Sequence, residues 1–535
     1  MDDVFAKIGR LNEIGIALSA ASDVDVLCDK ILTGAMELTN SDGGSLYGMS
    51  DDKSSLEFLI VSTHSLGIHM GGNSGQEIQF PAIPLIAKGQ PNKTNVVSSA
   101  VHDEHTINIP DVYYAEGFDF SGTRKFDQQT GYRTQSILTI PLKNHHDDII
   151  GVLQLINAKD EVTAETRAFS RSEQQLAESL ASQAAVAITN NRLIEEQREL
   201  FEAFIKLMAS AIDEKSPYTG GHCKRVPELT MMIADACHHS NNGALKEFKM
   251  TDADRYELTI AGWLHDCGKV TTPEYIVDKA TKLETIYDRI NTVDARFEVL
   301  KRDATIDFLQ QKIDRIRKNP SADCSDIAKG LVGKINDLND DRDFIRKSNV
   351  GGEFMDEDLM QRIRDIAEYR WIDPDGVNTK FFNDDEIENL TISRGTLTDV
   401  EREVIQNHMA VTIKMLAQLP FPKHLLNVPE YAGGHHERMD GKGYPNGLTR
   451  DQMSVQARMM GIADIFEALS ASDRPYKMGK PLTECLRILG FMKQDHHIDP
   501  DIFDVFIRDK VYLRYAEKFL PKNQIDEVDH SEIPG

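Results

Sequence analysis

The sequence predicts a multidomain protein with a mixed α/β (α+β) unit first, then a long connecting helix, then an all-α unit. Three observations carry this expectation. The length of 535 residues favours several compact units at about 150 residues each. Strand-like runs fall in the first third of the chain. No glycine or proline occurs between Gly151 and Pro217, and after that stretch apolar residues recur at helical spacing.

In chain order, LCDKILTGAMEL reads as an amphipathic helix, and GSLYGM, LEFLIVST, SILTIPL and IIGVLQLIN read as β-strands. The segment from Gly71 to Tyr132 is loop-rich. From about Ser170 to Asp213 the apolar positions Leu176, Leu180, Ala184, Leu193, Leu200, Phe204 and Leu207 predict one or two continuous helices. Such a helix could lie in the core of one domain. Polar runs such as NNRLIEEQRE favour a stalk that pairs two copies, so a homodimer through this helix is expected. Residues 281–395 carry helical spacing at Ile286, Ile290, Val293, Phe297, Leu300, Ala304 and Phe308, and no motif.

Composition excludes several classes. Forty per cent hydrophobic and 27% charged residues exclude wholesale disorder. A net charge of −26 disfavours nucleic acid polymers and anionic lipid as partners. No apolar stretch approaches the ~20 residues of a membrane helix, and no membrane partner is expected. The start, MDDVFAKIGR, is acidic and amphipathic, unlike a secretory signal. The six cysteines are scattered without a Cys-x-x-Cys pair, which suits a reducing cytoplasm.

The chemistry concentrates in the second half. ELTIAGWLHDCGKV sets His265 and Asp266 at the end of an apolar helical run, where a carboxylate is costly unless paired or metal-bound. On a helix, Lys269 would share their face, and Gly268 leaves room for a close approach. A buried His-Asp-Lys network is the bland alternative. Asp464, in MMGIADIFEALSA, repeats the anomaly, with a rim carboxylate as its bland alternative. His222 follows a Gly-Gly turn, and His408 lies in an amphipathic helix; each alone reads as structural. Of four His-His pairs, only His435-His436 precedes a run of turn residues, GGHHERMDGKGYPNGL. Together these five histidines and two aspartates have the composition of a two-metal site, better suited to iron, manganese or zinc than to magnesium or calcium.

The HDCGK run, His265 to Lys269, resembles the HD-x-GK motif of the HD phosphohydrolases. His435-His436-Glu437, Asp440-Gly441 and Gly443-Tyr444-Pro445 resemble the HHE-x-x-DG-x-GYP signature of the HD-GYP subfamily, and Arg474-Pro475-Tyr476 resembles its closing segment. The resemblance implies an all-helical, metal-dependent phosphodiesterase of bacterial signalling that linearises cyclic di-GMP to pGpG and then GMP. It implies metal ligands His222, His265, Asp266, His408, His435, His436 and Asp464, with Asp266 bridging two divalent transition-metal ions, iron or manganese ahead of zinc or nickel. Lys269 would hold the scissile phosphate or protonate the leaving oxygen. Tyr444, Arg474 and Lys477 would line the substrate groove. Some members carry a glutamate where this chain has Tyr218, so two metals are expected here rather than three. The family's spacing between HD-x-GK and the middle histidine is about thirty residues; the far longer interval here implies a helical insertion.

The N-terminal unit resembles a GAF domain through DVYYAEGFDFSGTRKFDQQTGYRTQSILTIPLKN and IIGVLQLINAKD. The pocket-supporting motif of nucleotide-binding members is half kept, as Asn157 with Ala158, then Phe169, then Glu173 with Gln174. A cyclic nucleotide is the implied ligand, and a dimerisation-only GAF domain is the alternative. The expected division is an N-terminal helix (1–24), GAF domain (25–162), connecting helix (163–212), HD-GYP domain in two parts (205–280 and 396–520) around a helical insertion (281–395), and a tail (521–535). Rival readings are a catalytically weak cyclic-dinucleotide receptor and a hydrolase of a different cyclic dinucleotide.

Overall fold

A computed structural model describes the chain except residues 1, 22, 216–220, 242, 353, 473–478 and 535. It forms two compact units, Met1–Phe201 and Glu202–Gly535.

The first unit opens with α1 (Asp2–Ser19) and α2 (Val24–Thr39), the latter started by Asp23, whose carboxylate accepts from the Asp25 and Val26 amides. The strands are β1 (Ser41–Met49), β2 (Ser55–Thr63), β3 (Ile68–Gly71) and the two-residue β4 (Ile83–Pro84), β5 (Ile86–Ala87) and β6 (Gln90–Pro91). After α3 (Val96–Asp103) come β7 (Ile107–Ile109), α4 (Ser121–Thr130), β8 (Ile137–Lys143), β9 (Ile149–Lys159) and β10 (Thr166–Arg167). The main sheet runs β3-β2-β1-β9-β8-β7, with β4 on β2 and β10 on β9. β1 and β9 pair antiparallel at its centre, with Leu46 opposite Leu153. The predicted strands thus appear as β1, β2, β8 and β9. The loop-rich segment also contains α3 and α4, the first held by Asn95, whose side chain caps the Val97 and Ser98 amides. Leu18, Leu27, Ile31, Leu46, Leu138, Leu155 and Leu180 meet in one core between the sheet and helices α1, α2 and α5 (Arg171–Lys215). That 45-residue helix is the predicted long one.

The second unit is largely helical: α6 (His222–His239), α7 (Asp252–Leu264), α8 (Glu274–Val277), α9 (Ile290–Lys318), α10 (Ser325–Asn349), α11 (Glu357–Ala367) and α12 (Asp384–Leu390). Next come α13 (Asp399–Leu416), α14 (Val428–Gly433), α15 (Val455–Ser470), α16 (Leu482–Gln494), α17 (Pro500–Arg508) and α18 (Val511–Phe519). A short hairpin, β11 (Arg370–Ile372) with β12 (Asn378–Lys380), follows α11. Residues of the 281–395 stretch have a core of their own, in which Phe297, Leu338, Ile345, Phe381 and Phe382 are buried. Buried Lys279 ties that stretch to α13, donating to Asn389 at 2.7 Å and to both oxygens of Glu401 at 2.7 and 2.8 Å. Among the described residues no helix is long and apolar enough to cross a membrane.

Candidate metal centre

Five segments far apart in sequence bring the seven predicted ligands together. His222 is the first residue of α6, entered through Gly221 at φ +80°, a left-handed conformation suited to glycine. His265 closes α7. Asp266 then begins a 3₁₀ turn, Cys267–Thr271. This corrects the expectation that His265 and Lys269 share one α-helix. The chain tightens after Leu264, and in a 3₁₀ turn positions i and i+3 eclipse. Lys269 Nζ therefore donates to Asp266 Oδ2 at 2.6 Å. His408 lies in α13, His435 and His436 follow α14, and Asp464 is in α15. Gly268 permits the assembly: a Cβ there would lie 2.0 Å from the His408 carbonyl oxygen, and its amide donates to Thr412 Oγ1 at 2.9 Å.

The ligand atoms form two groups. In the first, His222 Nε2 lies 3.2 Å from Asp266 Oδ2, 3.3 Å from Asp464 Oδ1 and 3.4 Å from His265 Nε2. In the second, His408 Nε2 lies 3.4 Å from the other oxygen of Asp266, Oδ1, and His408, His435 and His436 offer nitrogens within 4.8 Å of one another. Asp266 thus presents one oxygen to each group.

Hydrogen bonds set which nitrogen faces inward. His265, His408 and His435 each place Nδ1 on the carbonyl three residues earlier: Gly262 at 2.7 Å, Ile405 at 2.5 Å and Ala432 at 2.7 Å. A carbonyl only accepts, so Nδ1 carries the hydrogen and a neutral ring turns a lone pair inward from Nε2. Asp266 Oδ1, His408 Nε2 and His435 Nε2 are buried without a hydrogen-bond partner. Leaving such atoms unpaired costs about 1–3 kcal/mol each. Converging lone pairs of imidazole nitrogen and carboxylate oxygen call for a cation, and this donor set fits a pair of transition-metal ions.

At the second histidine group electrostatics agrees. Burial, with His436 and His265 nearby, holds His435 well below the usual histidine range, and burial pushes His436 down to about 4. Both are neutral at pH 7, the form that ligates. Burial would raise Asp266 and Asp464, but Lys269 and His265 around the first, and His222 around the second, outweigh it and hold both well below the carboxylate range. Burial also opposes the charge on Lys269, and Asp266 and Asp464 overcome it, so the ammonium persists.

Tyr444 stacks on His436 with centroids 4.8 Å apart and planes at 24°. Glu437 holds the loop behind it, accepting from the Asn446 amide at 2.8 Å and the Leu448 amide at 2.9 Å. A Cβ on Gly443 would lie 2.4 Å from Glu437 Cα, so this turn also needs glycine. Arg474, Lys477 and Tyr218 lie outside the described residues.

Three further residues hold the site and were not singled out from the sequence. Glu467, fully buried and one turn after Asp464, accepts from His222 Nδ1 at 2.5 Å and from Arg225 at 2.6 and 2.7 Å. Asp213, near the end of α5, accepts from the amides of Gly221 and Cys223 at 3.0 and 3.3 Å, on either side of His222. Lys215, the last residue of α5, donates to the carbonyls of Lys269, Val270 and Thr272 at 3.2, 2.6 and 2.7 Å. The spacing of Glu467 from Asp464 on one helix was the available signal for the first; nothing local marked the other two.

In the first unit, Asn157 accepts from the Gln135 and Ser136 amides at 2.7 and 3.2 Å and donates to the Arg133 carbonyl at 2.8 Å. Glu173 is buried and paired with Arg167 at 2.6 Å, and Phe169 belongs to the core shared with α5. Asn157 ties the backbone of residues 133–136 to β9, and Glu173 also accepts from the Ser170 amide at 2.8 Å.

Residues 23–188 match the GAF domain family, and residues 381–502 match the HD domain family. The chain carries a GAF domain and an HD domain. The HD match contains His408, His435, His436 and Asp464, while His222, His265 and Asp266 precede it. A protein of Vibrio cholerae described as 3'3'-cGAMP-specific phosphodiesterase 3 is 40% identical over 139 residues, 26% of this chain and 27% of that one. A cyclic di-GMP phosphodiesterase of Pseudomonas aeruginosa is 37% identical over 114 residues, 21% of this chain and 26% of that one. One from Thermotoga maritima is 31% identical over 121 residues, 23% of this chain and 32% of that one. The matched stretch is thus about a quarter to a third of each relative's length.

Proposed function

We propose that this GAF–HD chain is a metal-dependent phosphodiesterase that hydrolyses cyclic di-GMP to linear pGpG, and in a second round to GMP. The observation that carries the reading is Asp266, whose two oxygens face two separate histidine groups. Bound there, two metal ions would activate water and neutralise charge developing on the phosphate. The chain's own residues do the rest. Lys269, partly exposed beside Asp266, holds a non-bridging phosphate oxygen or supplies the proton to the departing 3′ oxygen. Tyr444, fixed against His436, forms one wall of the groove. Arg474 and Lys477 would meet phosphate or guanine from the segment that follows α15. Water adds at phosphorus, the P–O3′ bond breaks, and the phosphate remains on the 5′ oxygen.

The GAF domain would bind a cyclic nucleotide and regulate the reaction in the cytoplasm. Dimerisation through α5 is supported by Val186, Leu193, Leu200 and Leu207, which recur every seventh residue and are 47%, 50%, 71% and 65% exposed.

A second reading is supported by the Vibrio relative: the substrate is the mixed cyclic GMP-AMP dinucleotide. Both are tested by anaerobic purification, metal analysis, and hydrolysis of the two dinucleotides side by side with Asp266→Ala. Faster cyclic di-GMP turnover that disappears in the variant is expected. Preference for the mixed dinucleotide selects the second reading, and tight binding without turnover by the metal-loaded protein would select a receptor.

A further inference from the structure

The outer half of the α9–α10 hairpin has an apolar face that the described residues of its own unit leave uncovered. Asp294 with Arg346, Lys301 with Asn339 and Arg315 with Asp326 run along the pair at 2.9, 3.0 and 2.5 Å, so the helices are antiparallel throughout. Core burial stops early: on α9 the buried residues are Val293 and Phe297, and on α10 the first is Leu338. Beyond them Ile306, Leu309, Ile313 and Ile316 are 61%, 48%, 45% and 40% exposed. Val332 of α10, level with Phe308 and Leu309 on that ladder, is 59% exposed.

The spacing of this face is that of a coiled-coil seam. Val299, Ile306 and Ile313 fall on heptad position a, and Arg302, Leu309 and Ile316 on position d. The flanking positions carry Glu298, Asp303, Lys312 and Arg317. These charges decide the occupant and its direction. A parallel second copy would set Glu298 against the partner's Asp303 and Lys312 against the partner's Arg317, all like-charged. An antiparallel copy, with its two-fold axis between Asp307 and Phe308, sets Glu298 against the partner's Lys312 and Asp303 against the partner's Arg317. Symmetry repeats each pair, and every contact is then between opposite charges. The same register layers Ile306 on the partner's Leu309 and Val299 on the partner's Ile316. Arg302 lies over the partner's Ile313, where its aliphatic stem can cover apolar surface while the guanidinium reaches water. Glu298 also pairs with Lys301 and Arg342 of its own chain and stays 48% exposed at its side chain.

We infer that α9 packs antiparallel against α9 of a second copy of this chain. The seam covers about 27 Å at 1.5 Å per residue, so the interface is at the small end of specific contacts and its association is reversible. It is separate from the reaction and from pairing through α5.

The test uses the full chain in a Cys324→Ser background, because that cysteine is on the same hairpin and the other five are buried. Gln310→Cys lies beside the two-fold axis and is expected to give a disulfide-linked dimer on mild oxidation. Ile316→Cys, at the far end of the seam, is expected to give none. Asp303→Lys or Arg317→Asp alone should weaken the Gln310→Cys crosslink several-fold, and the two together should restore it. Ile306→Glu should abolish it with the helical circular dichroism unchanged, since the side chain is exposed. Crosslinking through Ile316→Cys would mean a parallel pair and would overturn the inference. So would absence of the Gln310→Cys crosslink, or a yield indifferent to charge reversal.

Discussion

Glu467→Gln should separate the two halves of the candidate metal centre. The carboxylate is wholly buried, 2.5 Å from His222 Nδ1 and 2.6–2.7 Å from two nitrogens of Arg225. Its charge overcomes burial and holds His222 well above the usual histidine range, together with Asp266 and Asp464. The amide keeps one acceptor oxygen for two donor side chains, His222 and Arg225, and turns an N–H₂ group toward one of them. One buried donor is then unpaired, at about 1–3 kcal/mol of stability. The imidazole also loses the partner that orients it and raises its basicity. Removing such a partner lowers metal affinity about 10–100-fold, or roughly 1.4–2.8 kcal/mol at 1.4 kcal/mol per tenfold. The polar side-chain partners of Glu467 among the described residues are His222 and Arg225, whereas His408, His435 and His436 are oriented by Ile405, Ala432 and Tyr444. Manganese titration under chelator competition should therefore show one weakened step and one close to wild type. A folded variant that loads both ions with wild-type affinity would refute the reasoning.

Other outcomes follow from neighbouring contacts. Gly268→Ala drives a Cβ to 2.0 Å from a backbone carbonyl, and forced separation of the 3₁₀ turn from α13 should cost about 1–3 kcal/mol in chemical denaturation. Lys215→Gln removes charged donors from three carbonyls of the Lys269 turn. Amide exchange in residues 268–272 should rise by about tenfold for a loss of about 1.4 kcal/mol, and unchanged exchange would show that the grip is not needed. Buried Lys282 donates to the Leu390 and Ile392 carbonyls, and burial pushes it from 10.5 down to about 8. Between those values the unfolded chain binds the proton more tightly, so stability rises with pH through that window; below about 8 the full burden of burying the charge remains. Urea midpoints from pH 7.5 to 10 should rise for wild type relative to Lys282→Met, and parallel curves would contradict this assignment.

Much of the architecture was readable from local pattern. Short runs rich in β-branched, aliphatic and aromatic residues marked β1, β2, β8 and β9, because such side chains fit a pleated, at least half-buried surface. The absence of glycine and proline marked α5. His265, Asp266 and Asp464 stood out because charged and imidazole side chains in apolar runs are costly without a partner; His435-His436 stood out by the turn residues that follow, while His222 and His408 became candidate ligands only in company with the others. The helices α3 and α4 were hidden in a loop-rich segment, since a helix of 8 or 10 residues shows little periodicity and depends on packing and on caps such as Asn95.

What composition and spacing determined was therefore the inventory: an α/β unit, a long helix, a helical unit, and a set of imidazole and carboxylate residues with the composition of a two-metal site. Tertiary structure decided the geometry of their grouping, of which family resemblance had implied only the bridging place of Asp266. The split of Asp266 between two histidine groups depends on its distances to His222, 44 residues earlier, and His408, 142 residues later, and no local periodicity encodes those. The same holds for Asp213 and Lys215, ordinary charges on a helix end until the fold sets the His222 and Lys269 turns against them. Their burial and hydrogen bonding are properties of the assembled chain, because solvation energy depends on what surrounds an atom in space.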